Sequence, residues 1–90
     1  MFRYKRGIDL SYERQGYVYF SSRSYAELPA KSQAAIRAMC EEHGGAHSTA
    51  LFEFVTTDAT ATALMMKHYI SKATLYRAVK RYYEGFPKKI

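Results

Sequence analysis

Residues 61–83 read ATALMMKHYISKATLYRAVKRYY. Ala61, Leu64, Met65 and His68 recur at spacings of three and four, the repeat of one helix face. Tyr69-Ile70-Ser71 interrupts that repeat, and Ser71 suits an N-cap because its hydroxyl can accept a backbone N–H from the first turn that follows. From Lys72 to about Tyr83 a second helix is predicted, with Leu75, Ala78, Val79 and Tyr82 as its inward stripe. Lys72, Ala73, Tyr76, Arg77 and Lys80 project from the opposite side. Two helices joined by a tight turn, the second basic on its outer face, predict a helix-turn-helix. A helix entering a DNA major groove needs an apolar back to hold it and long donors on its exposed N-terminal half. Arg77 could bond both guanine acceptors at once. Ala73 and Tyr76 could meet thymine methyls or phosphates, and Ser71, Thr74 and the first backbone amides could hold a phosphate at the helix start. The candidate DNA-binding residues are Ser71, Lys72, Ala73, Thr74, Tyr76, Arg77, Lys80 and Arg81.

The string Ile70-Ser71-Lys72-Ala73-Thr74-Leu75-Tyr76-Arg77 resembles the turn and recognition-helix start of bacterial helix-turn-helix proteins. It is similar to the V-S-K-x-T-hydrophobic signature of stage III sporulation protein D-like regulators, and close to motifs of tetracycline-repressor-type regulators and sigma factor region 4. The resemblance covers residues 61–83 and nothing upstream. It implies that Ser71 caps the recognition helix, that Leu75 anchors it, and that Lys72, Ala73, Tyr76 and Arg77 face DNA. It also implies Ala where Met65 stands and Gly where Tyr69 stands, since that turn position favours positive φ. Tyr69 would be strained there by about 1 kcal/mol or more, so a turn offset by one residue, or opened, is expected.

Working towards the N-terminus, Thr57 or Asp58 is the expected cap of the first of these helices. Ala50, Leu51, Phe54 and Val55 form one stripe of a helix over residues 46–55, and Ile36, Met39, Cys40 and His43 one face of a helix that begins at Pro29. Gly44-Gly45 between them supplies a helix-ending position of positive φ. The segment from Leu10 to about Tyr25 is ambiguous. Tyr17-Val18-Tyr19-Phe20 has β-propensity, while Tyr17, Phe20, Ser24 and Leu28 recur at helical spacings. A helix is the expectation. The predicted core is Phe20, Ile36, Met39, Cys40, Leu51, Phe54, Val55, Leu64, Met65, Ile70, Leu75 and Val79. The predicted architecture is a single all-α domain, a small bundle of about five helices. It comprises a basic arm (1–9), supporting helices (10–56), a helix-turn-helix (57–83) and a frayed basic tail (84–90).

The chain has 90 residues and a net charge of +6, unevenly spread. Residues 67–90 carry seven basic side chains against Glu84 alone, and residues 1–6 add Arg3, Lys5 and Arg6. The middle is mildly acidic, with four basic and seven acidic residues. That asymmetry points to a polyanion, here double-stranded DNA, with the basic arm and tail adding non-specific phosphate contacts. The single cysteine, Cys40, excludes an internal disulfide framework and fits a reducing, cytoplasmic setting. No run approaches the length of a membrane span. Met1 to Arg6 is basic but Ile8-Asp9-Leu10 is not an apolar signal segment, so no signal peptide is expected.

Other constellations read as structural. Cys40, His43 and His47, with His68, have zinc-like spacing, but Gly44-Gly45 breaks the helix between them, and a core cysteine beside incidental histidines is the reading. Tyr82 reads as core and Tyr83 as a phosphate contact or surface ring, since strand-transfer chemistry at a tyrosine needs positioned Arg and His groups that this chain lacks. No paired acid and base or Ser-His-Asp set stands out. No enzyme activity, cofactor, metal or membrane partner is expected. The expected function is that of a small DNA-binding regulator of bacterial or mobile-element type. The alternative is a protein-interaction module using the same scaffold. The aromatic first helix, with Tyr17, Tyr19, Phe20 and Tyr25, is the candidate surface for a partner or a homodimer.

Overall fold

Side-chain caps set where the helices begin. A computed structural model describes residues 2–90. In it Ser11 Oγ accepts from Arg14 N, Thr60 Oγ1 from Ala63 N and Ser71 Oγ from Thr74 N, each at 3.1 Å. These caps open α1 (Tyr12–Arg23), α4 (Ala61–His68) and α5 (Lys72–Gly85). Between them lie α2 (Ala30–Gly44), which starts directly after Pro29, and α3 (Ser48–Thr56). Short 3-10 turns, Tyr25–Glu27 and Gly45–His47, join α1 to α2 and α2 to α3. Gly45 takes the positive φ of 53° that turns the chain after α2. The described residues form helices and turns and no strand. None of the helices is long and apolar enough to cross a membrane.

The core is built from one stripe of each helix. Val18, Ile36, Leu51, Leu64, Leu75, Val79 and Tyr82 are almost fully enclosed. α2 packs on α3 and α5, and α4 sits against α3 and α5. α1 resolves as helix despite its β-favouring residues. Gln15, Val18 and Ser22 are its buried positions, at spacings of three and four, and burial against α3 outweighs intrinsic preference. That phase turns Phe20 outward at 59% exposure, contrary to its expected place in the core. Two residues advance a helix by about 200°, so Phe20 points away from Val18 and meets Phe2 and Tyr19 instead. Phe54 and Met65, also expected inside, are half-buried at the core's edge.

Both chain ends are docked rather than loose. Gln15 is fully enclosed, and its amide makes four bonds to the N-terminal segment. Oε1 accepts from Lys5 N at 2.8 Å, while Nε2 donates to the carbonyls of Lys5, Ile8 and Leu10 at 3.0, 3.2 and 3.2 Å. Ile8 is buried as a result. The expected basic arm is thus tied to α1 from Lys5 onward. The expected frayed tail is likewise corrected. Phe86 is 5% exposed, and the Arg14 guanidinium donates to the carbonyls of Phe86 (2.8 Å), Pro87 and Lys88 (3.1 Å). Tyr83, expected as a phosphate contact or surface ring, is buried at 4% exposure. The start of α4 also shifts. Thr60 is its cap, whereas Thr57 Oγ1 donates back to Glu53 O at 2.6 Å, closing α3, and Asp58 pairs with Arg23.

Candidate nucleic-acid interface

The turn between α4 and α5 contains Tyr69 in the left-handed conformation, at φ 53° and ψ 46°. Tyr69 itself takes the positive φ that an offset or opened turn was expected to spare it. Tyr69 N and Ile70 N both donate to Met65 O, which closes α4. Tyr69's ring is 93% exposed, so no side-chain burial offsets the backbone strain at this residue. Ile70, the next residue, is buried and anchors the turn. Ser71 then caps α5, its hydroxyl also donating to Thr74 Oγ1 at 2.8 Å.

α5 divides cleanly into two faces. Leu75, Ala78, Val79 and Tyr82 are buried, and Ser22 Oγ and Tyr82 OH share a buried hydrogen bond of 2.7 Å that ties α5 to α1. Lys72, Ala73, Tyr76, Arg77 and Lys80 are exposed on the other side, as their spacing predicts. Lys72 Nζ lies 6.0 Å from the centre of the Tyr76 ring, which meets Phe54 of α3 edge-on at 6.0 Å. Arg77 Nη2 donates to Thr74 Oγ1 at 3.3 Å, and among the described residues no carboxylate pairs with its guanidinium. Lys80 is tied to Glu84 one turn on. Ser71 is exposed and Thr74 half-buried at the cap.

Arg81 is the departure from the candidate set. Its Nη2 donates to His43 O at the end of α2, at 2.9 Å, which places it on the flank of the helix rather than the outer face. Lys5, expected as an extra phosphate contact, is also drawn inward. Its ammonium faces the rings of Tyr83 (5.9 Å) and Phe54 (6.0 Å), and burial lowers its pKa. Arg3 and Arg6 remain exposed. Lys67 and His68, at the end of α4, both bond the carboxylate of Glu53 on α3. Those bonds, Lys67's first, hold that carboxyl below its ordinary range.

Comparison with protein-family models, with curated proteins and with solved structures finds no match for this chain. Among the described residues no three His, Cys, Asp or Glu side chains are grouped so as to hold a metal ion. Cys40 is buried on the inner face of α2, where burial first and Glu41 second push its thiol up to about 12. His43 lies beside Gly85, and His68 bonds Glu53. Tyr82 and Tyr83 have their hydroxyl pKa values raised, chiefly by burial.

Sequence reasoning missed the part of the site that lies beside α5. The N-terminal segment runs along the helix: Asp9 N donates to Glu84 Oε2 at 3.1 Å, and Gly7 and Ile8 border Ala73, Tyr76 and Val79. The one signal available was Ile8, an apolar residue between Gly7 and Asp9 that follows the basic Lys5-Arg6. Gln15, which holds the segment in place, carried no recognisable pattern.

Proposed function

We propose that the chain binds double-stranded DNA through a helix-turn-helix formed by α4, the Tyr69–Ser71 turn and α5, with α5 as the helix that enters the major groove. The observation that carries this reading is the outer face of α5. Lys72, Ala73, Tyr76, Arg77 and Lys80 stand exposed together on a helix whose other side is locked into the core. Arg77, free of any carboxylate among the described residues, is the side chain for base reading. Lys72 and Lys80 reach phosphates, as do the α5 amides beside Ser71. A left-handed residue at the turn and the resemblance of residues 61–83 to bacterial helix-turn-helix proteins support the same reading. The net charge of +6 favours a polyanion. The biological role that follows is a small transcriptional regulator.

The test is selection from a random-sequence duplex pool at two salt concentrations. Enrichment of one motif that Arg77→Ala fails to enrich, at unchanged thermal stability, is the expected outcome. Salt-sensitive binding without enrichment would reduce the role to an architectural one, and no binding at low salt would refute DNA recognition. A protein-interaction role is the second reading, favoured by a different surface. Phe2, Tyr12, Tyr19 and Phe20 form an aromatic cluster with Tyr12 and Phe20 each 59% exposed. If Phe20→Ser abolishes the biological effect and Arg77→Ala does not, that reading wins.

A further inference from the structure

We propose that the groove between the N-terminal segment and α5 binds a small amphipathic organic anion, an apolar body bearing a carboxylate, and that this ligand competes with DNA for the outer face of α5. The second half of the proposal rests on the DNA-binding reading above; the first half does not.

The groove has a volume of about 500 Å³, within the range of about 300–1,000 Å³ typical of small-molecule sites. Its floor is carbon: Ile8, Ala73, the Tyr76 ring and Val79. Its rim is cationic, with Lys5, Arg77 and Lys80 and no carboxylate among the lining residues. Lys80 is partly answered by Glu84, but neither Lys5 nor Arg77 has an ion-pair partner among the described residues. Arg77 is the sharper case, because the Lys5 ammonium is turned to the rings of Phe54 and Tyr83, which lie outside the groove. An apolar floor selects against an inorganic phosphate or a bare sugar-phosphate, whose charged surface would lose its water without gain. The cationic rim selects against a neutral or cationic hydrophobe. A ligand satisfying both lays its hydrocarbon on Ile8 and Val79 and turns its carboxylate to Arg77 and Lys80.

The walls are held before any ligand arrives. Gln15's four bonds fix the segment from Lys5 to Leu10 on one side, and the buried stripe of α5 fixes the other. Such a site loses little ordering entropy on binding. Ala73, Tyr76, Arg77 and Lys80 belong both to the groove and to the outer face of α5, so one occupant excludes the other. By linkage, DNA must weaken ligand binding by the same factor as ligand weakens DNA binding.

The experiment is an amide NMR titration of the full chain with octanoate, octanol and octylammonium. Octanoate is expected to shift Gly7, Ile8, Ala73 and Val79, with an affinity at least tenfold above the other two. Arg77→Met is expected to weaken octanoate at least fivefold while leaving octanol binding unchanged, which also reports an intact groove. No shift with millimolar octanoate, shifts mapping elsewhere, or equal affinity for the three probes would overturn the site. A second arm measures affinity for the selected duplex with and without saturating octanoate. Weaker DNA binding supports competition, and unchanged DNA binding overturns it. A chain that binds octanoate in the groove but no DNA would refute the proposed function and the competition while upholding the ligand site.

Discussion

Tyr69 is the one non-glycine residue with positive φ among the described residues. A left-handed non-glycine residue costs about 1–2 kcal/mol, and its ring, 93% exposed, recovers none of this by burial. Glycine would remove the strain but adds about 0.5–1 kcal/mol of unfolded-state entropy. Tyr69→Gly is therefore expected to stabilise the fold by about 0.5 kcal/mol, while Tyr69→Val, β-branched at positive φ, destabilises it by about 1 kcal/mol or more. Urea unfolding of the three proteins checks the order, and a Gly variant less stable than the parent would mean that the ring does something beyond the turn. The motif made the need for positive φ at this position readable, and strain at a tyrosine was the reason to doubt it. The packing of Ile70, next to it, holds the turn regardless.

At the scale of elements, α3 and α4 are joined by Glu53, whose carboxylate takes Lys67 Nζ at 3.1 Å and His68 Nε2 at 2.9 Å. Glu53's pKa lies below its ordinary value of 4.5 in the folded chain. A depressed carboxylate contributes stability that is fully present above the unfolded value and lost as pH falls through the folded one. Acid unfolding of Glu53→Gln is accordingly expected to show a shallower loss of stability below pH 4.5 than the parent. Identical acid limbs would show that the α3–α4 link is fully screened by water. The helices themselves were legible from spacing and caps, with Ser71 and the stripe of α5 the clearest. The start of α4 was not, because Thr57, Asp58 and Thr60 are all competent caps. Thr57 bonds Glu53's carbonyl and Asp58 bonds Arg23, leaving Thr60 for the helix.

At the scale of the whole molecule, the two ends of the chain converge on α1. Gln15 holds the N-terminal segment, and Arg14, the preceding residue, holds the carbonyls of the tail. Phe86 fills the space between, meeting Tyr82 at 5.5 Å and Tyr17 at 6.0 Å between ring centres. Emptying a buried phenylalanine site costs about 3–5 kcal/mol, a large share of what a domain this small can have. Phe86→Ala is expected to lower stability by about 3 kcal/mol and to speed backbone amide exchange in residues 86–90. A change under about 1 kcal/mol would return the tail to the frayed extension its composition suggests.

The helical class, the inward stripe of α5 and the outer set of Lys72, Ala73, Tyr76, Arg77 and Lys80 were all readable from the chain before it folds. Each follows from periodicity within one helix, and a helix's faces are set by its own geometry. The tertiary structure decided what lies beside that face. Arg81 was drawn to His43's carbonyl, Lys5 was drawn against Phe54 and Tyr83, and a groove opened between Ile8 and Val79. It also turned Phe20 outward and buried Tyr83 and Phe86. These outcomes depend on contacts between residues far apart in the chain, such as Arg14 with the Phe86 carbonyl and Ser22 with Tyr82. Local spacing carries no information about which distant partner a polar or aromatic side chain will find, and packing settles it only when all the helices are in place.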